Sequence, residues 1–344
     1  MFRSGMTRRL CIGLLAAGLL AGAACSSDSD TADDDGGSSS AAKGATKVGL
    51  ALGGPPDDMG YFQSFADGLE LAETELGVNG SVQGNLDTEE KRVDGVRNLA
   101  ADNQIVVAAG AEMSDAMLTV AAEFPDVTFL SVSGEMDPDL TNLASFYVRQ
   151  GAPNTVGAAV LAEITKPSKM GVIGGGDIPP TAQVEDGTAV VAEKLSPPAT
   201  VTNTVIESFE DTAGAKQATT AMIDEGVTAI VAFVNTGLDG VLAGLEDAGN
   251  PDDVKLIAQI YPQCDKSSAI VGTAILDAGA QMVDMISIAM EGDLPTEPVF
   301  WGVENPAIQR FELCPDYDTP ENQAVVDEVT TAINGGTYGL PEGV

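Results

Sequence analysis

The sequence has no histidine, and it has only 16 basic residues against 52 acidic ones. The missing histidine excludes Ser-His-Asp and Cys-His catalytic sites, imidazole-bound zinc and the commonest general base of enzymes. The formal net charge of −36 makes nucleic acid and anionic lipid surfaces poor partners. These deficits disfavour an enzyme and a nucleic-acid-binding protein, and we predict no catalytic residue, no metal ion and no cofactor.

Long hydrophobic runs are also missing. The apolar run at residues 10–20 has about 11 residues, whereas a helix that spans a bilayer needs about 20. Three arginines precede this run, and small residues at 21–24 lead from it to Cys25. This order of a basic region, an apolar region and small residues is typical of a secretory signal peptide.

The cysteine at the end of this segment resembles the bacterial lipoprotein signal, in which that residue receives a diacylglycerol and becomes the mature N-terminus. We therefore predict a signal peptide over residues 1–24 and lipidation at Cys25. Gly22 departs from the pattern, since lipoprotein signals usually have Leu, Val or Ile at that position. The alternative is an ordinary secreted protein in which the cysteine is incidental.

Residues 26–45 consist mainly of Ser, Asp, Gly and Ala and have almost nothing to bury. Such a composition predicts a disordered segment. With the acylated cysteine, residues 25–45 would form a tether. It would hold the folded body at the extracytoplasmic face of the cell membrane by the lipid anchor alone.

Cysteine is scarce, with four residues in the chain. Cys11 lies in the signal peptide and Cys25 is the predicted lipidation site, so Cys264 and Cys314 remain. In an oxidising compartment two remaining cysteines favour one disulfide bond. The alternative is two buried free thiols.

From residue 46 onward, short apolar runs alternate with segments of helical periodicity. This alternation predicts an α/β fold with parallel sheets and right-handed crossovers. The number of strands favours two similar lobes, and the alternation breaks near residue 269, as expected where the chain returns to complete the earlier sheets. We predict one lobe from 46–149 plus 269–298 and a second from 150–268 plus 299–344. A ligand would bind beyond the carboxyl ends of the strands.

Residues 47–69, KVGLALGGPPDDMGYFQSFADGL, resemble the opening of the basic membrane protein family in their strand, glycine pair, acidic pair and aromatic residues. Three later segments are similar to family motifs in the same order: FPDVTF at 124–129, KMGVIGG at 169–175 and the helix at 278–290. Together the likeness extends from residue 47 to about residue 313. The family consists of lipoproteins whose best-known members bind purine nucleosides for ABC importers.

The resemblance implies a fold like that of type I periplasmic binding proteins, with two Rossmann-like lobes joined by a multi-strand hinge. It implies a monomer that captures a small flat solute, with purine nucleoside as the best guess. Its partners would be an ABC permease and the ATPase subunits of that permease. Two alternatives remain: a ligand-sensing lipoprotein that reports to a signalling receptor, and an enzyme resembling nucleoside hydrolases that uses clustered acids.

The candidate binding residues lie near the predicted carboxyl ends of strands. They are Asp57, Asp58, Tyr61, Phe62, Met113, Ser114, Phe233, Asn235, Tyr261 and Asp277.

The resemblance implies that a base is held between Tyr61 or Phe62 and an aromatic residue of the second lobe, for which Phe233 is the candidate. Stacking on an aromatic ring is worth about 1–3 kcal/mol per base. Asn235 can hydrogen-bond a heterocycle edge or a sugar hydroxyl. The alternatives are core packing for the three aromatic residues, and helix capping for the acidic pair at 57–58.

The chain departs from the family in one region. Family members commonly have an Asp after the strand that ends here at Ile260 and a Lys after the next strand, both directed at the ribose. This chain has Gln259, Tyr261 and, in the lysine position, Asp277. A buried carboxylate without a cation is costly, so either the alignment shifts or the ligand offers a donor or a positive group. The glycines at 174–176 lack the spacing of a dinucleotide-binding loop and are interpreted as a cleft loop.

Overall fold

The computed structural model describes residues 45–58, 60–249, 251–341 and 343–344. The predicted signal peptide, the lipidation site at Cys25 and the tether up to residue 44 lie outside these residues. Within the described part of the chain, no helix is long and apolar enough to cross a membrane.

The first lobe is built on a six-stranded parallel sheet with strand order β11-β5-β4-β3-β1-β2. Its strands are β1 (Lys47–Leu52), β2 (Asn79–Gln83), β3 (Ile105–Ala109), β4 (Thr128–Val132), β5 (Leu143–Val148) and β11 (Val299–Trp301). Its helices are α1 (Tyr61–Leu76), α2 (Glu89–Asp102), α3 (Ser114–Glu123) and α8 (Ala278–Glu291).

Both faces of this sheet are covered by helices, as the apolar strands require. Along β1, Val48 and Leu50 pack with residues of α1 and α8, while Ala51 packs with residues of α2 and α3 on the opposite face. The alternation follows from the two-residue period of a strand. It places one apolar core on each side of the sheet.

The second lobe contains a six-stranded sheet with order β12-β10-β9-β8-β6-β7, in which β12 runs antiparallel to β10. Its strands are β6 (Lys169–Gly174), β7 (Thr200–Val205), β8 (Ala229–Phe233), β9 (Lys255–Ile260), β10 (Ile270–Leu276) and β12 (Gln309–Leu313). Its helices are α4 (Gly151–Thr165), α5 (Pro179–Lys194), α6 (Thr212–Asp224), α7 (Gly237–Asp247) and α9 (Pro320–Asn334).

Local sequence signals fix several helix ends. The Thr88 hydroxyl accepts a hydrogen bond from the Lys91 backbone N–H at 3.4 Å and caps α2. Helices α1 and α8 end at Gly77 and Gly292, whose φ angles of 66° and 78° favour glycine.

Within the described chain, three connections join the lobes: between β5 and α4, between β10 and α8, and between β11 and β12. Val148, Leu276 and Ile308 each come from one of these connections, and they pack with Ile260 in one hydrophobic cluster, here named the connection cluster. Backbone hydrogen bonds link the connections, since Arg149 donates to Trp301 O at 2.7 Å and Asp277 donates to Ile308 O at 2.8 Å.

The expected division of the chain is wrong for two strands. β10 was expected in the first lobe, but it pairs with β9 and β12 in the second sheet. β11 was expected in the second lobe, but it pairs with β5 in the first sheet. The reason is that the chain crosses to the first lobe after β10 rather than before it, and returns after β11 rather than before it. Both α8 and β11 therefore lie in the first lobe, where α8 packs against α1. Helix α9, for which the sequence analysis made no prediction, packs against α4.

The disulfide between Cys264 and Cys314 is confirmed, with a Cα–Cα distance of 5.5 Å. It joins the loop after β9 to the end of β12, and the alternative of two free thiols is therefore wrong.

Reduction of this disulfide is expected to lower the free energy of unfolding by about 4 kcal/mol, because the bond closes a loop with a sequence separation of 50. Urea unfolding with and without a thiol reductant measures the difference. The double variant Cys264→Ser/Cys314→Ser should match the reduced protein and should not respond to the reductant. Equal unfolding midpoints for the oxidised and the fully reduced protein would contradict this assignment.

Candidate ligand-binding site

The candidate site lies where loops at the carboxyl ends of the two sheets approach each other. In the first lobe, the loop after β1 leads into α1. In the second lobe, the loops after β7, β8 and β9 carry polar side chains. The lobes touch at Gly60 and Asn235, since a Cβ atom at Gly60 would lie 2.7 Å from Asn235 Nδ2. The absence of a side chain at residue 60 therefore lets the start of α1 approach the second lobe.

Asp58 serves as the acceptor for the first turn of α1. Its carboxylate oxygens accept hydrogen bonds from the backbone N–H groups of Gly60 at 2.9 Å, Phe62 at 3.3 Å and Gln63 at 2.9 Å. These N–H groups have no partners inside the helix. Asp58 therefore acts as a helix cap, which is the alternative to ligand binding that the sequence left open for the acidic pair. Asp57 is exposed on the surface.

Tyr61 and Phe62 are half-buried at the edge of the first lobe. The Tyr61 ring packs edge-on against Phe62 and Phe65, with ring centroids 5.6 and 5.0 Å apart. Burial, and then the negative charge of Glu112, raises the pKa of Tyr61. The Phe62 ring lies over Gly54, where a Cβ atom would be 2.5 Å from Phe62 Cε2. Both rings combine core contacts with a position at the start of α1, next to the contact between the lobes.

Two predicted site residues lie in hydrophobic cores. Met113 has no exposed surface and packs with residues of α2 and α3. Phe233 is only 2 % exposed and packs with residues of α4 and α5. For Phe233 the structure shows the alternative of a buried strand residue, because its side chain lies on the face of β8 that these helices cover. We therefore do not retain either residue in the binding site.

Phe209 is an aromatic residue that the sequence analysis missed. It is half-buried in the loop after β7, and its ring lies edge-on to Phe233 at a centroid distance of 5.6 Å. The ring also contacts the glycine loop after β6, since a Cβ atom at Gly175 would lie 2.5 Å from Phe209 Cδ1. The Phe209 carbonyl accepts hydrogen bonds from Asn235 N and Gly237 N, both at 3.0 Å. Phe209 is thus fixed beside the polar loop after β8.

Glu112 is a second residue that was missed. It follows β3, and its carboxylate lies against the backbone at Gly53, where a Cβ atom would be 2.5 Å from Glu112 Oε1. Partial burial raises the pKa of the Glu112 carboxyl, and Arg92 opposes this effect. The predicted residue Ser114 lies close by in sequence, but its hydroxyl accepts a hydrogen bond from Glu135 N at 2.8 Å and so holds the loop after β4.

Three polar side chains of the second lobe form a hydrogen-bonded row. Asn235 Nδ2 donates to Glu210 Oε1 at 3.2 Å, and Gln259 Nε2 donates to Asn235 Oδ1 at 3.4 Å. Gln259 is 4 % exposed, and its Oε1 atom has no hydrogen-bond partner among the described residues. A buried acceptor without a partner is costly, so a ligand N–H or O–H would be favoured at this atom.

Asp277 has the cation that the sequence analysis could not locate. Its Oδ2 atom lies 3.9 Å from Nη1 of Arg310, which comes from β12. Its Oδ1 atom accepts a hydrogen bond from Ala280 N at 3.0 Å and caps α8. A positive group on the ligand is therefore not needed to explain an acid at this position.

A family profile described as "ABC transporter substrate-binding protein PnrA-like" matches residues 45–334, which include both lobes. The chain belongs to this family, named Bmp. Bmp proteins are substrate-binding proteins of ABC transporters, which act outside the cytoplasm, bind small solutes and work with permease and ATPase subunits. The predicted family membership is confirmed.

Individual proteins are also similar to this chain, and the solved structures among them show the same fold. A purine-binding protein of Brucella abortus is 24 % identical over 291 residues, which cover 83 % of this chain and 80 % of the relative. The crystal structure of an ABC transporter solute-binding protein from Conexibacter woesei has a TM-score of 0.69 at 21 % identity and covers 87 % of this chain and 99 % of its own. The structure of a transcriptional activator of the comK gene from Bacillus halodurans has a TM-score of 0.72 at 20 % identity. The match covers 86 % of this chain and 100 % of that one.

These likenesses confirm the predicted fold of two α/β lobes, which is that of type I periplasmic binding proteins. The family places the chain among solute-binding proteins rather than among the enzymes considered as an alternative.

The capping role of Asp58 can be tested by substitution. Asp58→Ala is expected to lower the free energy of unfolding by about 1 kcal/mol, because α1 loses the acceptor for its first N–H groups. Asp57→Ala is the matched control, since it removes the same charge from an exposed neighbour, and it should leave stability unchanged. Urea unfolding measures both variants, and equal effects of the two substitutions would contradict the assignment.

Proposed function

We propose that this Bmp protein is a lipid-anchored, monomeric substrate-binding protein of an ABC importer, and that it captures a purine or purine nucleoside between its two lobes. Closure about the three connections would enclose the solute, as in other two-lobed binding proteins. The solute would be released unchanged to the permease. The name of the relative from Brucella abortus supports purine as the ligand class.

One observation carries the proposal: the start of α1, with its aromatic residues, contacts the hydrogen-bonded row of the second lobe. Asn235 contacts Gly60, which directly precedes Tyr61 at the start of α1. A purine has flat faces that stack on aromatic rings and a polar edge with N–H donors and nitrogen acceptors. Tyr61 and Phe209 offer aromatic rings. The side-chain amides of Asn235 and Gln259 contain both hydrogen-bond donors and acceptors.

The charge of the site also favours an unphosphorylated ligand. Glu112 lies in the first lobe against Gly53, and Glu210 lies in the second lobe against Asn235. Arg310 lies near the strand ends of the second lobe, but it forms an ion pair with Glu312 at 2.6 Å and also faces Asp277. Carboxylates repel a phosphate, so bases and nucleosides are better candidates than nucleotides.

The stacking role of Tyr61 and Phe209 predicts lower affinity when either ring is removed. Tyr61→Leu, which keeps an apolar side chain against Phe65, and Phe209→Ala are each expected to weaken purine binding tenfold or more, equivalent to about 1.4 kcal/mol. Titration calorimetry with adenine, guanine and their nucleosides measures the affinities, and chromatography of the solute afterwards tests whether it is unchanged.

The control for this experiment is Phe300→Ala. Phe300 is 45 % exposed and stacks on Tyr147 at the edge of the first lobe, so its removal should not change affinity. Wild-type protein that binds none of the four solutes would remove the purine proposal. Unchanged affinities in both site variants would remove the stacking proposal alone.

The lipid anchor has its own test in cells. Cys25→Ser is expected to move the protein from the membrane fraction to the soluble extracytoplasmic fraction, because the thiol that accepts the diacylglycerol is lost. Cys11→Ser, within the signal peptide, is the matched control and should leave the protein in the membrane fraction. Fractionation and mass spectrometry of the N-terminal peptide measure both results. Retention of Cys25→Ser in the membrane fraction would argue for another mode of attachment.

A further inference from the structure

Tyr261 extends from a strained position at the carboxyl end of β9. The preceding residue, Ile260, has a φ angle of 69°. This left-handed conformation is unfavourable for a β-branched side chain and is kept only where the surrounding structure imposes it. Strain of this kind is concentrated at ligand sites, and it determines here where the chain places Tyr261.

The Tyr261 side chain reaches the other lobe. It packs against the connection cluster, as Tyr61 also does, and its hydroxyl lies near the Ser64 side chain of α1. Burial, followed by the charge of Asp67, raises the pKa of Tyr261 to about 12, and the Ser64 side chain opposes this shift. The hydroxyl remains protonated at neutral pH and can donate a hydrogen bond. It is buried and, among the described residues, makes no hydrogen bond of good geometry.

Asp277 and Arg310 lie on this side of the site, and both are already engaged. Asp277 caps α8 and faces Arg310, and the Arg310 guanidinium donates to Glu312 at 2.6 Å. By contrast, Gln259 Oε1 beside Asn235 has no partner among the described residues. Unused hydrogen-bonding capacity thus lies at the end of β9 beside Asn235, and the Tyr261 ring packs on the side towards the connection cluster.

We propose that Tyr261 makes the site selective for a free purine base over the corresponding nucleoside. The inference rests on the proposed function and specifies the ligand of the same site. A ribose would need the space that the Tyr261 ring occupies, and its hydroxyl groups would have to compete for Asp277 and Arg310, whose polar atoms are already engaged, which is costly. A base needs no such space, and it can accept the hydrogen bond of the Tyr261 hydroxyl while Gln259 Oε1 accepts from its N–H edge.

The test compares adenine with adenosine and guanine with guanosine by titration calorimetry. The wild-type protein is expected to bind each base at least tenfold more tightly than its nucleoside. Tyr261→Ala is expected to reduce this preference at least tenfold, because it opens space for the sugar. Tyr261→Phe keeps the ring, so it should keep the preference while it weakens binding of the base severalfold.

A matched control is Tyr338→Ala. Tyr338 lies under the Lys194 ammonium group, 4.8 Å from the ring centroid, outside the residues assigned to the site, and its removal should leave both affinities unchanged. Nucleosides that bind the wild type as tightly as bases do would overturn the inference, and so would an unchanged preference in Tyr261→Ala. Both results leave the purine proposal standing. Binding of neither class would instead overturn the proposed function and this inference with it. Because the wild-type ratio and Tyr261→Phe do not depend on the alanine variant folding, the inference stays testable if that variant is unstable.

Discussion

The packing of three chain connections into one hydrophobic cluster is the constraint on which the rest of the molecule depends. Val148, Leu276 and Ile308 hold the connections together, and any motion of one lobe against the other must turn about this cluster. Tyr61 and Tyr261 pack on the same cluster, so one aromatic residue from each lobe connects the hinge region directly to the candidate site. A solute that contacts these rings would therefore act on the parts of the structure that set the angle between the lobes.

The secondary structure could be predicted from the sequence because its signals are local, whereas the membership of each sheet could not. Every residue of β10 is buried, so its apolar run fits the middle of either sheet, and β11 has only three residues. Pairing partners far apart in sequence decide both cases. Helix α9 gave a weak signal, since its buried apolar residues are limited to Val326 and Val329.

The same limit applies to the site: local sequence patterns identify candidate residues, but only the folded structure shows which partners they contact. The sequence identified the acids at 58 and 277 but could not distinguish a ligand contact from a helix cap, and in both cases backbone N–H groups are the partners. The sequence could not show that Phe233 faces the core, because a strand directs neighbouring residues to opposite faces and only the position of the helices shows which face is covered. Glu112 lies in a 3-10 helix of three residues and Phe209 lies in a loop, and neither segment shows a periodicity, so the only sequence signal available was their position after a strand.

The acidic side chains of the candidate site differ in how their negative charge is stabilised. The chain carries 52 acidic residues, yet Asp58 and Asp277 each face hydrogen-bond donors that offset desolvation locally. Glu112 and Glu210 do not cap a helix in this way, although Glu210 accepts a hydrogen bond from Asn235 Nδ2, and they lie in opposite lobes beyond the carboxyl ends of strands. In the proposed function, closure of the lobes would bring like charges nearer, which would cost free energy unless a ligand with N–H donors lay between them. A neutral purine would satisfy that condition, whereas a phosphate would add a further negative charge, so the electrostatics that select the proposed solute would also couple its binding to closure.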